Sequence, residues 1–330
     1  MIEVTSLSKR YGDKTVVDDL SFAVQPGIVT GFLGPNGAGK STTMRMIVGL
    51  DRPSAGTATV DGRPYGAYTR PLTKVGTLLD AKWVHPGRSA ANHLRWMAAA
   101  NGIPLSRVDE VLALVGLSDA AGRKAGKFSL GMGQRLGLAG ALLGDPEVLI
   151  LDEPVNGLDP EGIRWVRDFV RHLASEGRTV LISSHLLSEM AQTADHLVVI
   201  GRGRLVADTS THDFIRNAST ATTVVRTDHL DELVAVLTEE GIAHHRETDD
   251  DGRLTVVVPD EEPDLIGGLA YSAGILLREL SERRASLEDA FMRMTGDAVE
   301  YHAEVGGTTG PRAAQTTTQT PLTTPTEDPK

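Results

Sequence analysis

The stretch GPNGAGKST, Gly34 to Thr42, constrains this chain more than any other. It follows the apolar run Ile28-Val29-Thr30-Gly31-Phe32-Leu33 and leads into Met44-Arg45-Met46-Ile47-Val48, which reads as strand, glycine loop, helix. Gly34, Gly39, Lys40 and Ser41 fit G-x-x-x-x-G-K-[ST] in register. Glycines let a backbone turn tightly and bring successive N–H groups to a ligand. Across Gly34, Pro35, Asn36, Gly37, Ala38, Gly39 and on to Thr42, those groups join the positive end of the helix starting near Lys40 in an anion cradle. Lys40 adds a mobile point charge for outer phosphates, and the Ser41 hydroxyl is a ligand for Mg²⁺. An ordinary glycine-rich turn would not need both the strand before and the helix after.

The surrounding pattern extends this unit. Apolar β-branched runs suggest strands at 2–6, 16–24, 28–33, 57–61, 75–79, 147–152, 179–184 and 196–200. Helices are expected at 41–49, 89–100, 107–115, 131–143, 161–175 and 186–193, with Ser89 as an N-cap and Pro160 in a first turn. Strand–helix alternation over 1–214 predicts an α/β domain with a mostly parallel sheet. Residues 215–302 have a second rhythm. Strands at 222–227, 242–247, 254–258 and 275–280 interleave with helices over 230–237 and 261–272, with a turn at Asp251-Gly252. The order β-α-β-β-α-β is that of a small α+β, ferredoxin-like unit. An amphipathic helix over 287–294 closes it. From 303 to 330 the chain is rich in Thr, Pro and Gly, cannot bury a core, and is expected to be disordered.

Charge and composition exclude several classes. Residues 1–214 hold 23 Lys and Arg against 22 Asp and Glu, whereas 215–302 hold 8 against 19. An acidic appendage on a neutral domain argues against nucleic acid as a partner. The runs Asp249-Asp250-Asp251 and Asp260-Glu261-Glu262 read as solvated surface. With no cysteine, disulfides and thiolate metal sites are ruled out, and a reducing cytosol is the simplest home. The N-terminus MIEVTSLSKRYG lacks the pattern of a signal peptide, and no segment reaches the ~18 consecutive apolar residues of a membrane span. Any membrane role therefore runs through a separate chain.

A second phosphate element narrows the choice. Val148-Leu149-Ile150-Leu151 is a buried strand ending in Asp152, a carboxylate suited to Mg²⁺ through water. Glu153 follows at the strand's mouth, where it can polarise an attacking water. The base-reading motif N-K-x-D of guanine nucleotide enzymes is absent from the sequence, as are long coiled-coil arms between the two elements. The deciding stretch is Phe128-Ser129-Leu130-Gly131-Met132-Gly133-Gln134-Arg135, ending 18 residues before Glu153. It resembles the L-S-G-G-Q signature of ABC-family ATPases, with Ser129 and Gly131 matching and Leu130 where the first of two glycines usually stands. That resemblance implies that Ser129, Leu130, Gly131 and Met132 serve the ATP of a second subunit. Further marks follow. Tyr11 resembles the aromatic that stacks on adenine, although on spacing alone it is a surface aromatic near a hairpin. Asn156-Gly157-Leu158-Asp159 resembles the D-loop at the dimer interface. His185, after Ser183-Ser184, resembles the switch histidine that contacts the γ-phosphate.

One position departs. Where the family has a Q-loop glutamine, Val75-Gly76-Thr77-Leu78-Leu79 is followed by Asp80, which can take the Mg²⁺ side of that role but cannot donate a hydrogen bond when ionised. His85 and His244-His245 have no visible ligand partners and read as structural. In the second region, Ser286-Leu287-Glu288-Asp289-Ala290-Phe291, with Thr295-Gly296 beyond, resembles the end of daunorubicin-resistance and bacitracin-type exporter cassettes; as residues alone it is a capped amphipathic helix. The resemblance, over about 1–214, implies a P-loop NTPase cassette with a helical subdomain. It implies ATP and Mg²⁺ as ligands, with Lys40 on the β- and γ-phosphates, Ser41 and Asp152 on the metal and Glu153 as base. It also implies a homodimer with ATP at the interface, and a cytoplasmic position on the inner face of the membrane beside a separate permease, in drug or antibiotic export. The rival reading is an ABC ATPase acting on ribosomes or DNA.

Overall fold

A computed structural model of the chain describes residues 1–80, 84–218, 221–248, 252–284 and Phe291. Asp251 of the expected turn, the expected helix over 287–294 apart from Phe291, the Ser286–Ala290 and Thr295-Gly296 motif residues and the segment 303–330 lie outside the described residues.

In chain order, β1 (Ile2–Tyr11), β2 (Lys14–Val24) and β3 (Val29–Leu33) precede α1 (Lys40–Ile47), β4 (Ala55–Val60) and β5 (Val75–Leu78). Three helices follow, α2 (Ala90–Asn101), α3 (Ser106–Leu114) and α4 (Leu130–Leu142). Then come β6 (Val148–Leu151), α5 (Pro160–Ser175), β7 (Thr179–Ser184), α6 (Leu187–Thr193), β8 (His196–Gly201), β9 (Arg204–Ser210) and α7 (Thr211–Ala218). The remainder is β10 (Ala221–Thr227), α8 (Leu230–Glu239), β11 (His245–Thr248), β12 (Leu254–Pro259), α9 (Pro263–Ser272) and β13 (Leu277–Arg284).

The central sheet has the order β5-β6-β7-β3-β8-β9, parallel except for β9. Strands β3, β6 and β7 are buried along their whole length, as near-continuous apolar runs must be when both faces are covered. The pleat sorts their side chains by turns. Leu149, Leu151, Val180 and Ile182 face a core with α2, α3 and α4, while Val148, Ile150 and Leu181 face one with Phe22, Phe32 and Met44. Register brings Leu33, Leu151 and Ile182–Ser184 level, so the carboxyl ends of three strands open at one edge. Ligands in open parallel sheets bind at such an edge.

Helix α4 and the turn after it pack closely on β5 and the segment before it, with the Leu78 side chain seated against Gly137. A methyl added at Gly76 would fall 2.0 Å from the carbonyl oxygen of Ala141, and one at Gly144 would fall 2.0 Å from that of Leu72. Backbone meets backbone at these two points.

Three findings differ from the sequence reading. The strands expected at 2–6, 16–24 and 57–61 leave the α/β alternation and form a separate antiparallel sheet, β2-β1-β4. It packs on the central sheet through Phe22, stacked on Phe32 with ring centres 5.3 Å apart. Strand β9 and helix α7 were not foreseen. A readable signal existed for α7, because Ser210 Oγ accepts from the Asp213 N–H at 3.0 Å, an S-x-x-D cap. Finally, β11 begins at His245 rather than Ile242, because Ile242 packs into the small core and its carbonyl accepts from His244 Nδ1 at 2.8 Å.

The four-stranded antiparallel sheet β11-β12-β10-β13 is covered by α8 and α9. Leu233, Leu237, Ile266 and Ala270 from the helices meet Val225, Val256 and Val258 from the strands. This order is the ferredoxin-like one expected from the β-α-β-β-α-β sequence. No helix among the described residues is long and apolar enough to cross a membrane.

Candidate active site

Strand β3 delivers the chain to Gly34, where a methyl would fall 2.6 Å from the Ile200 carbonyl oxygen. The loop ends at Gly39, which caps α1 at φ 105°, a conformation that favours glycine. The first buried side chain of α1 is Lys40, 6% exposed. Its Nζ donates to the carbonyls of Gly34 at 2.5 Å and Pro35 at 3.3 Å, and lies 3.7 Å from Glu153 Oε1. Burial pulls the Lys40 pKa below its usual value, while Glu153 and Asp152 push it back up. The loop from Pro35 to Thr42 encloses a cavity of about 230 Å³ with Val16 and Glu153. Ser41 is exposed at its mouth.

Strand β6 sets the two acids. The Asp152 N–H donates to the Leu78 carbonyl at 2.7 Å, continuing the β5–β6 pairing by one residue. Ser183, wholly buried on β7, donates from Oγ to Asp152 Oδ1 at 2.5 Å and accepts from the Glu153 N–H at 2.9 Å. Glu153 turns out of the strand at φ 47°. Its Oε2 lies 2.9 Å from His185 Nδ1. The carboxylate thus stands between the lysine of the loop and the histidine at the end of β7. Behind them, burial raises the Glu189 pKa, with Glu153 adding to the rise and His185 opposing it.

The other expected residues sit apart from this cluster. Ser129 caps α4, its Oγ accepting from the Met132 N–H at 3.2 Å. Ser129 and Leu130 line a different cavity, with Phe128, Pro86 and Val84. Within one chain, therefore, the segment Ser129–Met132 does not reach the Lys40 loop cavity. Asp159 caps α5 by accepting from the Gly162 N–H at 2.9 Å. Tyr11 is 49% exposed at the β1–β2 hairpin, its hydroxyl donating to Asp51 at 3.2 Å and Lys9 Nζ 4.8 Å from its ring centre. Asp80 is exposed just past β5, two residues after the carbonyl that receives Asp152. His85 Nδ1 accepts from the Gly87 N–H at 3.1 Å, in line with a structural role.

Two residues were missed at the sequence level. Ser183 bridges both acids, and Gln134, 6% exposed, donates to the carbonyls of Glu153 and Asn156. Both lay inside motifs read for their neighbours. The signal for Ser183 was a hydroxyl at the end of a strand flanking the acidic one.

The residues fit a nucleoside triphosphate. A buried cation held by carbonyls, at a helix N-terminus and beside an acid on a hydrogen-bonded strand end, is a site for phosphates. Among the described residues no three His, Asp or Glu side chains gather as a self-sufficient metal site. A metal here would need the phosphates as ligands, as Mg²⁺ does in such sites. Fold and site together define a P-loop nucleoside triphosphatase.

Comparison with known proteins gives the family. Residues 17–156 match the family described as ABC transporter, and residues 221–288 match a domain of unknown function. The ABC transporter ATP-binding protein YhcH of Bacillus subtilis (strain 168), itself uncharacterised, is 37% identical over 91% of this chain and 97% of its own length. The bacitracin transport ATP-binding protein BcrA of Bacillus licheniformis is 36% identical over 90% of this chain and 97% of its own. A solved ATP-binding subunit of an ABC transporter superposes with a TM-score of 0.60 at 28% identity, over 66% of this chain and 92% of that one. The chain belongs to the ATP-binding subunits of ABC transporters. It is an ATPase whose hydrolysis is coupled to transport.

Proposed function

We propose that this chain drives a separate membrane permease in the export of a drug- or antibiotic-like compound. The reading is supported by full-length likeness to BcrA and, at 37% identity over 97% of its length, to the Nod factor export ATP-binding protein I of Burkholderia lata. Two copies face head to tail, each ATP lying between the Gly34–Thr42 loop of one and Ser129–Met132 of the other. The placement of the two segments at different cavities within one chain supports this reading. Lys40 binds the β- and γ-phosphates, and Tyr11 stacks on the base. Ser41 and Asp152 would hold Mg²⁺, with Asp80 on its outer side. Asp159 and the D-loop meet the partner chain. The cassette, residues 1–214, works at the inner face of the membrane, and residues 215–302 form an accessory domain.

The observation that carries the chemistry is the Glu153 carboxylate, held between Lys40 and His185, with the backbone N–H of Glu153 tied through Ser183 to Asp152. Glu153 takes the proton of the attacking water, and His185 holds the carboxylate and contacts the γ-phosphate. Closure on ATP and opening after hydrolysis are then transmitted to the permease. Glu153→Gln tests this directly. The variant should bind ATP, lose nearly all hydrolysis and accumulate a dimer in ATP. Hydrolysis near the parental rate would remove Glu153 from the role of base.

A further inference from the structure

Helix α4 carries Leu130 and Gln134 four residues apart, on one face. Both reach the segment that follows β6. Gln134 Nε2 donates to the Glu153 carbonyl at 3.4 Å and to the Asn156 carbonyl at 3.3 Å. Its Oε1 is buried without a partner, so the amide is held from this one side. Leu130 lies on bare backbone, for a methyl added at Gly157 would fall 2.0 Å from Leu130 Cδ2. Leu158 closes the contact from the other direction, 3.3 Å from where a methyl on Gly131 would sit. The stretch is thus held at Glu153, Asn156, Gly157 and Leu158 by the first turns of α4.

That stretch begins with a strained residue. Glu153 is non-glycine at φ 47°, a conformation that persists only where its surroundings enforce it. Ser183 fixes its N–H and Gln134 its carbonyl. The direction of the carboxylate follows from that backbone.

We propose that Gln134 and Leu130 are positioning residues for Glu153 of their own chain, holding its left-handed turn so that the carboxylate points at Lys40 and His185. The inference rests on Glu153 being the base. In the head-to-tail dimer, the helix whose N-terminus meets one ATP then sets the base acting on the other. Both Gln134 bonds are long, so a shift of α4 by a few tenths of an ångström makes or breaks them.

Gln134→Met keeps the length and removes the donors. It should lower kcat about tenfold or more with the KM for ATP nearly unchanged, the mark of a lost transition-state interaction. It should also accumulate an ATP-bound dimer, as Glu153→Gln does. Leu130→Gly, at an exposed position, should lower kcat by roughly threefold or more, again with the ATP dimer kept, and it carries the test if Gln134→Met does not fold. Parental kcat in the folded variants overturns the clamp. So does loss of ATP-driven dimers with a raised KM, which would mean that these residues only shape the signature turn. Glu153→Gln measured in parallel separates the two readings. If it hydrolyses at the parental rate, the base assignment fails and the clamp with it. If it is inactive while Gln134→Met and Leu130→Gly are parental, the clamp alone fails.

Discussion

Removing the hydroxyl of Ser183 perturbs the site with no change of charge or fold class. Ser183→Ala deletes a hydrogen bond to the Asp152 carboxylate and leaves the Glu153 N–H without its acceptor. A hydrogen bond to a charged group contributes about 1.5–3 kcal/mol, and an orphaned buried donor costs about 1–3 kcal/mol. Asp152 is only half-buried and can recruit water in compensation, so a combined loss of about 3 kcal/mol is expected. At about 2–4 °C per kcal/mol for a chain of this size, the melting point should fall by roughly 6–12 °C. The neighbour makes an internal control. Ser184 Oγ accepts from the Leu186 N–H at 2.9 Å and touches neither acid, so Ser184→Ala should cost only about 1 kcal/mol. The assay is thermal unfolding by circular dichroism alongside steady-state ATPase at saturating ATP and Mg²⁺. Ser183→Ala should lose both stability and rate, Ser184→Ala mainly a little stability. If Ser183→Ala melts with Ser184→Ala and keeps the parental rate, the bridge between Asp152 and Glu153 does not hold the site together.

Ser129→Arg should abolish hydrolysis while a fluorescent ATP analogue still binds the monomer, because Ser129 is remote from its own chain's loop cavity; loss of monomer binding would contradict the head-to-tail arrangement. Asp80→Asn should shift the Mg²⁺ dependence of the ATPase more than metal-free ATP affinity, and superimposable Mg²⁺ curves would exclude Asp80 from the metal's surroundings. Glu189→Gln should raise the melting point at neutral pH. Burial lifts the folded-state pKa of Glu189 above the ordinary 4.5, so the parent is favoured below 4.5 and loses that contribution as pH rises through the raised value. The advantage of the uncharged variant should therefore appear above that window and vanish below about pH 4.5; a pH-independent difference would rule out burial of the charge as its cause.

The parallel strands of the central sheet were legible because β3, β6 and β7 are buried, near-continuous apolar runs and all but β8 are followed by a helix. Ser89 and Ser129 cap α2 and α4, and Pro160 opens α5. The loop from Gly34 to Thr42 and the acids Asp152 and Glu153 were legible because phosphate chemistry fixes both residue type and spacing. The sheet β2-β1-β4 was not, since a strand's sequence records which face is buried and not which sheet it joins. Its three strands differ from β3, β6 and β7 in mixing buried and exposed positions. Ser183 and Gln134 were not legible as site residues, because each acts by a hydrogen bond to groups 19 to 31 positions away in sequence.

The seam between α4 and β5 narrows the substitutions open to this cassette over generations. The obstacles at Gly76 and Gly144 are main-chain carbonyls, which cannot swing aside as a side chain would. A side chain at Gly76 must push α4 off β5, and one at Gly144 must displace the segment that leads into β5, so neither is reached by a small adjustment. At Leu130 the obstacle is a side chain, whose far end can turn, and there the chain already carries leucine where the L-S-G-G-Q pattern has its first glycine. Variation is thus withheld from the end of α4 that meets its own sheet. Lineages of this cassette should keep the seat of this helix long after its exposed turns have diverged.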